Sequence, residues 1–267
     1  MTEDRPTSAA DDVSVETDGA VAVLTLRRPP HNLLTEPALR RLADAVHDLS
    51  PEVRAAVVCS EGRSFCAGAD FKASDAPDPT AEGSDFSTNT GAFYRQAVRI
   101  FSSPVPLVAA VQGAAIGAGF GLALACDIRV VGERGWFQAN FVRLGIHPGF
   151  ALSVTLPRFV GPGRASELFL TGRRIDAEEA LRIGLAEKMV PSGSERDMAV
   201  VLANEIAGGA PLAVASTRAT LRAGLAVAAE AAMAHELAEQ TRLAGTADAV
   251  EGVAAMLAGR PPRFSGA

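Results

Sequence analysis

The segment PLVAAVQGAAIGAGFGLALACD, residues 106–127, organises the rest of the chain. Its apolar run Leu107–Val111 predicts a short buried strand, and the small residues of Ala115–Ala125 predict a helix. Three glycines lie inside this helix. Each should cost about 1 kcal/mol relative to alanine, so we expect close approach of the backbone to another group to offset that cost. The bare N-terminus of such a helix favours negative charge and can hold an oxyanion.

Three interpretations of this helix stay open on its residues alone. It could be a tightly packed core helix, a nucleotide site, or an oxyanion-stabilising helix. The nucleotide interpretation is the weakest of these, because the glycines follow GxGxG rather than GxGxxG spacing and the chain contains no GxxxxGK[ST] sequence. The oxyanion interpretation needs a second amide donor from elsewhere in the chain.

Composition narrows the classes of partner and compartment. The 267 residues carry a formal net charge of −6, which disfavours nucleic acid or an anionic membrane as a partner. Three cysteines at unrelated spacings predict a reducing compartment rather than a disulfide scaffold. The polar, acidic start of the sequence has no apolar signal segment. We therefore expect a cytoplasmic protein.

Strand and helix patterns alternate along most of the chain and predict an α/β core over residues 13–194, with right-handed crossovers. A hairpin is predicted at Asp18-Gly19. Residues 1–12 are interpreted as a disordered lead-in, and Ser74–Gly91, rich in polar residues, proline and glycine, as a mobile surface loop. The alanine-rich residues 195–267 predict a helical region that packs on the core or on another subunit.

Several separate motifs then follow one another in a fixed order. They are SFCAGAD at residues 64–70, AVQG at 110–113, GAG at 117–119 and LGIHP at 144–148. Together they resemble the crotonase (enoyl-CoA hydratase/isomerase) superfamily over roughly residues 13–264. The resemblance implies a crotonase-like spiral of repeated ββα units whose C-terminal helices support a homotrimer or a dimer of trimers. It also implies an acyl-CoA thioester as substrate, no metal, and no bound cofactor beyond the coenzyme A of that substrate.

The resemblance further implies an oxyanion hole formed by the backbone amides of Ala69 and Ala118. These amides would polarise the thioester carbonyl and stabilise its enolate, and one such donor is worth about 3–4 kcal/mol of barrier lowering. Both side chains need only be small, and both are alanine. The other substrate-binding positions that the resemblance implies are Ala67, Gly68, Asp70, Phe71, Gly117, Gly121, Phe141, Leu144, Pro148 and Gly149.

The residues that hydratases of this superfamily use for proton transfer are replaced in this sequence. Two glutamates position water in those enzymes, and the matching positions are Gly121 and Phe141. Some relatives carry an aspartate at the position of Gly149. None of the three residues can transfer a proton, so we expect weak or absent hydration by the standard route. His147 is a candidate replacement, and the alternative is a histidine packed before Pro148 and hydrogen-bonded to backbone.

Other candidate groups are assigned more modest roles. Cys66 is expected to be a small buried thiol, and Asp70 a turn or helix cap. Acidic residues of the 74–91 loop could deliver a carboxylate if the loop closes over a ligand. Cations for the CoA phosphates are expected to be arginines, and the candidates are Arg27, Arg28 and Arg260.

The resemblance thus implies an acyl-CoA enzyme of the enoyl-CoA hydratase/isomerase family that stabilises a thioester enolate, with weak or absent simple hydration. The intact oxyanion loop and His147 favour a reaction of another kind, such as isomerisation, thioester hydrolysis or C–C cleavage. The alternative is a non-catalytic acyl-CoA binding or carrier protein. A nucleotide-binding oxidoreductase has little support, because the glycine spacing is wrong for that class.

Overall fold

The computed structural model describes residues 12–70 and 86–267, and its centre is a six-stranded sheet. The strands of this sheet are β1 (Val13–Asp18), β2 (Val21–Leu26), β3 (Ala55–Ser60), β4 (Leu107–Val111), β6 (Ile128–Gly132) and β9 (Lys188–Val190). They lie in the order β1-β2-β3-β4-β6-β9. The first pair is antiparallel across Asp18-Gly19, as predicted, and every other neighbouring pair is parallel. The parallel sheet confirms the α/β prediction.

A second, three-stranded sheet lies beside the first. It consists of β5 (Ala114–Ile116), β7 (Trp136–Gln138) and β8 (Arg174–Asp176), with β7 in the middle. The short strand β5 corrects one prediction, because the helix expected over Ala115–Ala125 begins only at Ala118. The first residues of that stretch pair with β7 instead, so a tertiary contact overrides their local helical pattern.

Ten α-helices and a 3₁₀ helix at Phe141–Leu144 complete the described part of the chain. The helices are α1 (Glu36–His47), α2 (Phe86–Phe101), α3 (Ala118–Ala125), α4 (Leu152–Val160), α5 (Pro162–Thr171), α6 (Ala177–Arg182), α7 (Glu195–Ala207), α8 (Pro211–Leu221), α9 (Leu225–Ala244) and α10 (Ala247–Leu257). The range of α2 is a second correction, because residues 86–91 of the expected surface loop are helical. The rest of that loop lies outside the described residues, as do residues 1–11 of the expected lead-in.

The central sheet is apolar on both faces, which is why β2, β3 and β4 read as continuous hydrophobic runs. Alternate residues of these strands, such as Val57 and Val108, pack against α7. The residues between them, such as Val58 and Ala109, join the main core with α1, α2 and α3. Burial on both faces fixes the register, because a shift by one residue would exchange the two sets.

The C-terminal helices are attached to this core by direct contacts. Helix α9 packs along α2, and α10 packs on the 3₁₀ helix. Helix α8 is held through Asp127, whose carboxylate accepts hydrogen bonds from Arg218 at 3.0 Å, Arg222 at 3.1 Å and the Leu107 amide at 2.8 Å. The division of the chain at residue 195 stays a prediction.

Candidate active site

The N-terminus of α3 meets the loop at residues 64–70 at very short range. The Cys66 amide donates to the Ala114 carbonyl at 2.9 Å, and the Ile116 amide donates to the Cys66 carbonyl at 2.9 Å, so the loop runs beside β5. A Cβ atom added to Gly119 would lie 2.0 Å from the Cys66 carbonyl oxygen. Only glycine permits this approach, because it has no Cβ atom. The close packing explains why α3 contains a glycine at position 119 despite its cost in a helix.

Ala69 and Ala118, which flank this approach, both line one cavity. Ala118 is the first residue of α3, where amides lack intrahelical acceptors, and no side chain caps this N-terminus. Gly117 before it has φ +53° and Gly68 before Ala69 has φ +118°, so both turns use backbone conformations that favour glycine. The helix dipole adds positive potential at the same point. The arrangement can stabilise an oxyanion.

The cavity has a volume of about 1130 Å³, and its lining falls into two groups. One group is mostly apolar and comes from α2, the 3₁₀ helix, the segment that joins the 3₁₀ helix to α4, and α10. It includes Phe93, Tyr94, Phe141, Leu144, Ile146, Phe150, Val253, Met256 and Leu257. The other group is polar and includes His31, Arg63, Gln112, Arg134 and Ser192. We call these groups the apolar end and the polar end of the cavity.

Most of the positions expected to bind substrate line this cavity. They are Ala67, Gly68, Ala69, Asp70, Gly117, Ala118, Phe141, Leu144 and Gly149. Gly121 and Pro148 are not part of its lining. Phe71 and the acidic residues Asp75, Asp78, Glu82 and Asp85 lie outside the described residues.

Aromatic side chains fill the space beside Gly121 and Gly149, the two glycines at the expected acid/base positions. A Cβ on Gly121 would lie 2.6 Å from the Phe150 side chain. A Cβ on Gly149 would lie 2.0 Å from the Tyr94 hydroxyl, which donates to Gln240 Oε1 at 2.8 Å. Burial raises the pKa of Tyr94 far above its usual value, and the negative charge of Glu236 adds to that shift. This phenol is therefore held protonated.

The His147 side chain packs outside the cavity lining. Its Nδ1 lies 2.8 Å from the Pro148 carbonyl oxygen, and its ring packs edge-on against His235 with centroids 5.7 Å apart. The ring does not line the cavity described above. This placement matches the alternative of a histidine that is packed and hydrogen-bonded to backbone, so we give His147 no role in proton transfer below.

The three arginines expected to meet CoA phosphates already have acidic partners. Arg27 pairs with Glu61 at 2.8 Å, Arg28 with Asp12 at 2.9 Å, and Arg260 with Glu251 at 2.6 Å. None of the three lines the cavity. The arginines that do line it are Arg63 and Arg134, and both belong to the polar end.

The contacts of Asp70 and Cys66 indicate structural rather than catalytic roles. Asp70 lies 3.5 Å from Arg28, in a loop whose amide at Asp70 donates to the Leu34 carbonyl. Cys66 is fully buried, and burial raises the pKa of its thiol to about 12. A thiol held protonated in this way is a poor nucleophile. Within residues 12–70 and 86–267, no group of His, Cys, Asp and Glu side chains could hold a metal ion.

Sequence reasoning missed Glu236, a fully buried carboxylate on α9. It accepts hydrogen bonds from the amides of Ala151 and Ser153 at the start of α4. Gln240, one turn later on α9, lines the cavity and donates to the His147 carbonyl at 2.9 Å. The four-residue spacing of these two polar side chains was the available signal, because it places them on one helix face.

Known proteins share this architecture along nearly the whole chain. The family model described as enoyl-CoA hydratase/isomerase matches residues 16–267. A probable enoyl-CoA hydratase from Rhodobacter capsulatus is 37% identical over 95% of this chain and 98% of its own length. The 2,3-dehydroadipyl-CoA hydratase of Escherichia coli is 35% identical over 92% of this chain and 95% of its own.

Solved structures of enoyl-CoA hydratases and hydratase/isomerases have the same fold as this chain. An enoyl-CoA hydratase/isomerase from Pseudoalteromonas atlantica superposes with a TM-score of 0.83 at 29% identity, covering 96% of this chain and all of that one. An enoyl-CoA hydratase from Bacillus halodurans gives a TM-score of 0.83 at 26% identity, covering 92% of this chain and all of its own. These matches confirm the crotonase fold expected from the motifs. The chain belongs to the enoyl-CoA hydratase/isomerase family.

Proposed function

We propose that this chain binds an acyl-CoA thioester and stabilises its enolate with the backbone amides of Ala69 and Ala118. The observation that carries the proposal is the close approach of the uncapped α3 N-terminus to the loop at residues 64–70, with Ala69 and Ala118 lining the same cavity. Family membership supports a CoA thioester as the ligand.

In this proposal the two amides donate to the thioester carbonyl oxygen. Negative charge grows on that oxygen as the enolate forms, so the donors bind the enolate more strongly than the ground state. The dipole of α3 acts in the same direction. The mostly apolar walls around the reacting atoms strengthen these interactions, because they lower the local dielectric.

Hydration by the route of two glutamates is not part of the proposal. Gly121 and Phe141 have no acidic group, and the Phe150 ring fills the space beside Gly121. Proton transfer by a positioned group is worth about 10²–10⁴-fold. We therefore propose a reaction of another class that develops negative charge on the thioester oxygen, either isomerisation or C–C cleavage through the enolate, or thioester hydrolysis, in which water adds to the carbonyl to give a tetrahedral oxyanion that expels the CoA thiolate.

A non-catalytic acyl-CoA carrier is the second candidate. The aromatic side chains at and beside Gly121, Phe141 and Gly149 favour it, because they supply no general base. A carrier needs the thioester site and not the proton transfer. Conversion of a bound acyl-CoA by isomerisation, thioester hydrolysis or C–C cleavage would favour the enzyme, and binding without any conversion would favour the carrier.

The polar end of the cavity supports a new assignment for the CoA phosphates. Arg63 and Arg134 line this end. The Arg63 guanidinium lies 3.5 Å from His31 Nε2, and the Arg134 amide donates to Ser192 Oγ at 3.2 Å. We propose that these two arginines, rather than Arg27, Arg28 and Arg260, meet the phosphates.

Assembly as a homotrimer or a dimer of trimers is also proposed. Large apolar side chains of the C-terminal helices are exposed, among them Leu212 at 87%, Leu221 at 69% and Val227 at 71%, and a second copy would cover them.

The cytoplasmic location stays a prediction. Among the described residues no single helix meets the length and apolarity of a membrane span, and one pair bent by 110°, Glu195–Ala207 with Pro211–Ala244, meets them only when taken together.

The test is single-turnover hydration of butenoyl-CoA and dodecenoyl-CoA by the purified chain, beside direct binding of the same thioesters. The proposal predicts binding with little or no hydration. Fast hydration would contradict the interpretation of Gly121 and Phe141. Failure to bind any acyl-CoA would defeat both the enzyme and the carrier.

A further inference from the structure

One aromatic side chain forms part of the apolar end without belonging to any expected acid/base position. Phe150 is 1% exposed and lines the cavity. Its ring lies edge-on to Phe93 with centroids 5.8 Å apart, and it also packs against Phe101 at 6.5 Å. On its other side it reaches the backbone of Gly121, one turn into α3 from Ala118. Phe150 therefore stands between the oxyanion helix and the aromatic face of α2.

The backbone that carries this ring is unusual. Phe150 has φ +59° and Ala151 has φ +56°. Two consecutive residues with side chains in the left-handed region are unfavourable unless their surroundings over-determine them. Such residues cluster at ligand sites, so the strain points to a constraint on where the ring must stand.

Glu236 supplies that constraint. Its carboxylate is completely buried and accepts from the Ala151 amide at 2.8 Å, the Ser153 amide at 3.1 Å and the Ser153 hydroxyl at 2.5 Å. It thereby caps the N-terminus of α4 from another helix, since Ala151 has no capping side chain of its own. A buried carboxylate with three donors holds its partners in one geometry.

We propose that Phe150 sets the length of the acyl group that the cavity accepts, and that Glu236 is the positioning residue that keeps its ring in place. The inference rests on the proposed function, because it takes an acyl-CoA as the ligand. The ring closes the wall beside the oxyanion helix, so an acyl group directed past Ala118 toward Gly121 meets it. Glu236 acts through the Phe150–Ala151 backbone and does not touch substrate.

The test compares the dissociation constants of butanoyl-, octanoyl- and dodecanoyl-CoA for the wild type and for Phe150→Ala. Removing the ring opens space continuous with the cavity. Each methylene newly buried there should strengthen binding about fourfold. The ratio of dodecanoyl to butanoyl affinity should therefore rise at least about tenfold. Glu236→Gln should raise the same ratio by a smaller factor, because it loses an acceptor but keeps the shape of the side chain.

The matched control is Phe137→Ala. This variant loses the same kind of buried ring from a separate aromatic pair, Phe120 and Phe137, at a site that does not line the cavity. It should leave the affinity ratio unchanged, which separates specificity from destabilisation, because a merely loosened protein would bind all chain lengths more weakly. Phe150→Leu serves in place of Phe150→Ala if that variant fails to fold.

The possible results separate the role of Phe150, the role of Glu236 and the binding of acyl-CoA. An unchanged ratio in a folded Phe150 variant that still binds acyl-CoA would overturn the inference. A changed ratio for Phe150→Ala without any change for Glu236→Gln would overturn the role of Glu236. A wild type that binds none of the three thioesters would instead defeat the proposed function.

Discussion

Replacing Gly119 by alanine should separate the two proposed oxyanion donors. The new Cβ would lie 2.0 Å from the Cys66 carbonyl oxygen, whereas real Cβ contacts are essentially never under 3.0 Å. The loop and α3 must therefore move apart by at least about 1 Å. Overpacking of this kind costs about 1–3 kcal/mol, which lowers the melting temperature by roughly 2–12 °C for a domain of this size.

The substitution should affect the polarisation of the bound thioester carbonyl more than it affects the stability of the fold. A hole that loses one well-placed donor forfeits about 3–4 kcal/mol of enolate stabilisation, which corresponds to a rate loss of about 10²–10³. The assay is the vibrational frequency of the thioester carbonyl in bound acyl-CoA, because a polarised carbonyl absorbs at lower frequency. Gly119→Ala should move this frequency back toward its value in free acyl-CoA.

Gly163→Ala is the matched control. Gly163 lies inside α5, and nothing lies within 4 Å of its added Cβ. Alanine there should stabilise the protein by about 0.4–1 kcal/mol and leave the carbonyl frequency unchanged. If Gly119→Ala melts like the wild type and polarises the carbonyl equally, the argument from close approach is wrong.

Three more predictions follow from the same contacts. Ala118→Pro removes one oxyanion donor at a first helical position that tolerates proline, so acyl-CoA should still bind while the shift of its carbonyl frequency shrinks; an unchanged shift would exclude this amide as a donor. Burial raises the pKa of Glu236 above 4.5, so the folded state keeps the proton to higher pH than the unfolded chain. The unfolding free energy of the wild type should therefore fall relative to Glu236→Gln as pH rises from below 4.5 through the folded pKa, and denaturant titrations showing the opposite slope would contradict this. Asp127→Asn leaves the guanidinium groups of Arg218 and Arg222 without their shared charge and should cost up to about 3 kcal/mol; equal denaturant midpoints would show that this contact does not anchor α8.

Local patterns in the sequence predicted those elements that depend on local chemistry. Thr35 stands directly before Glu36-Pro37, a pattern typical of a helix start, and accepts from the Ala38 amide of α1 at 3.3 Å. Asp176 stands directly before α6 and accepts from the Glu179 amide at 2.8 Å. Such caps join residues three positions apart, so a single sequence contains both partners. The strand β4 was found for a similar reason, because its burial on both faces leaves an uninterrupted apolar run.

Features that depend on distant partners could not be found in this way. The residues of β5 look helical until their pairing with β7 is known. The spacing of Glu236 and Gln240 places both on one face of α9, but no local pattern identifies the donors of Glu236, which are more than 80 residues away in sequence. The acidic partners that occupy Arg27 and Arg28 are distant in sequence as well, so surface arginines could not be separated from ligand-binding ones.

The most direct test of the whole account is a crystal structure of this chain with a bound acyl-CoA. We predict that the thioester carbonyl oxygen lies about 2.7–3.1 Å from the amide nitrogens of both Ala69 and Ala118, with the acyl group against Phe150. A bound thioester whose carbonyl contacts neither amide would contradict the central claim.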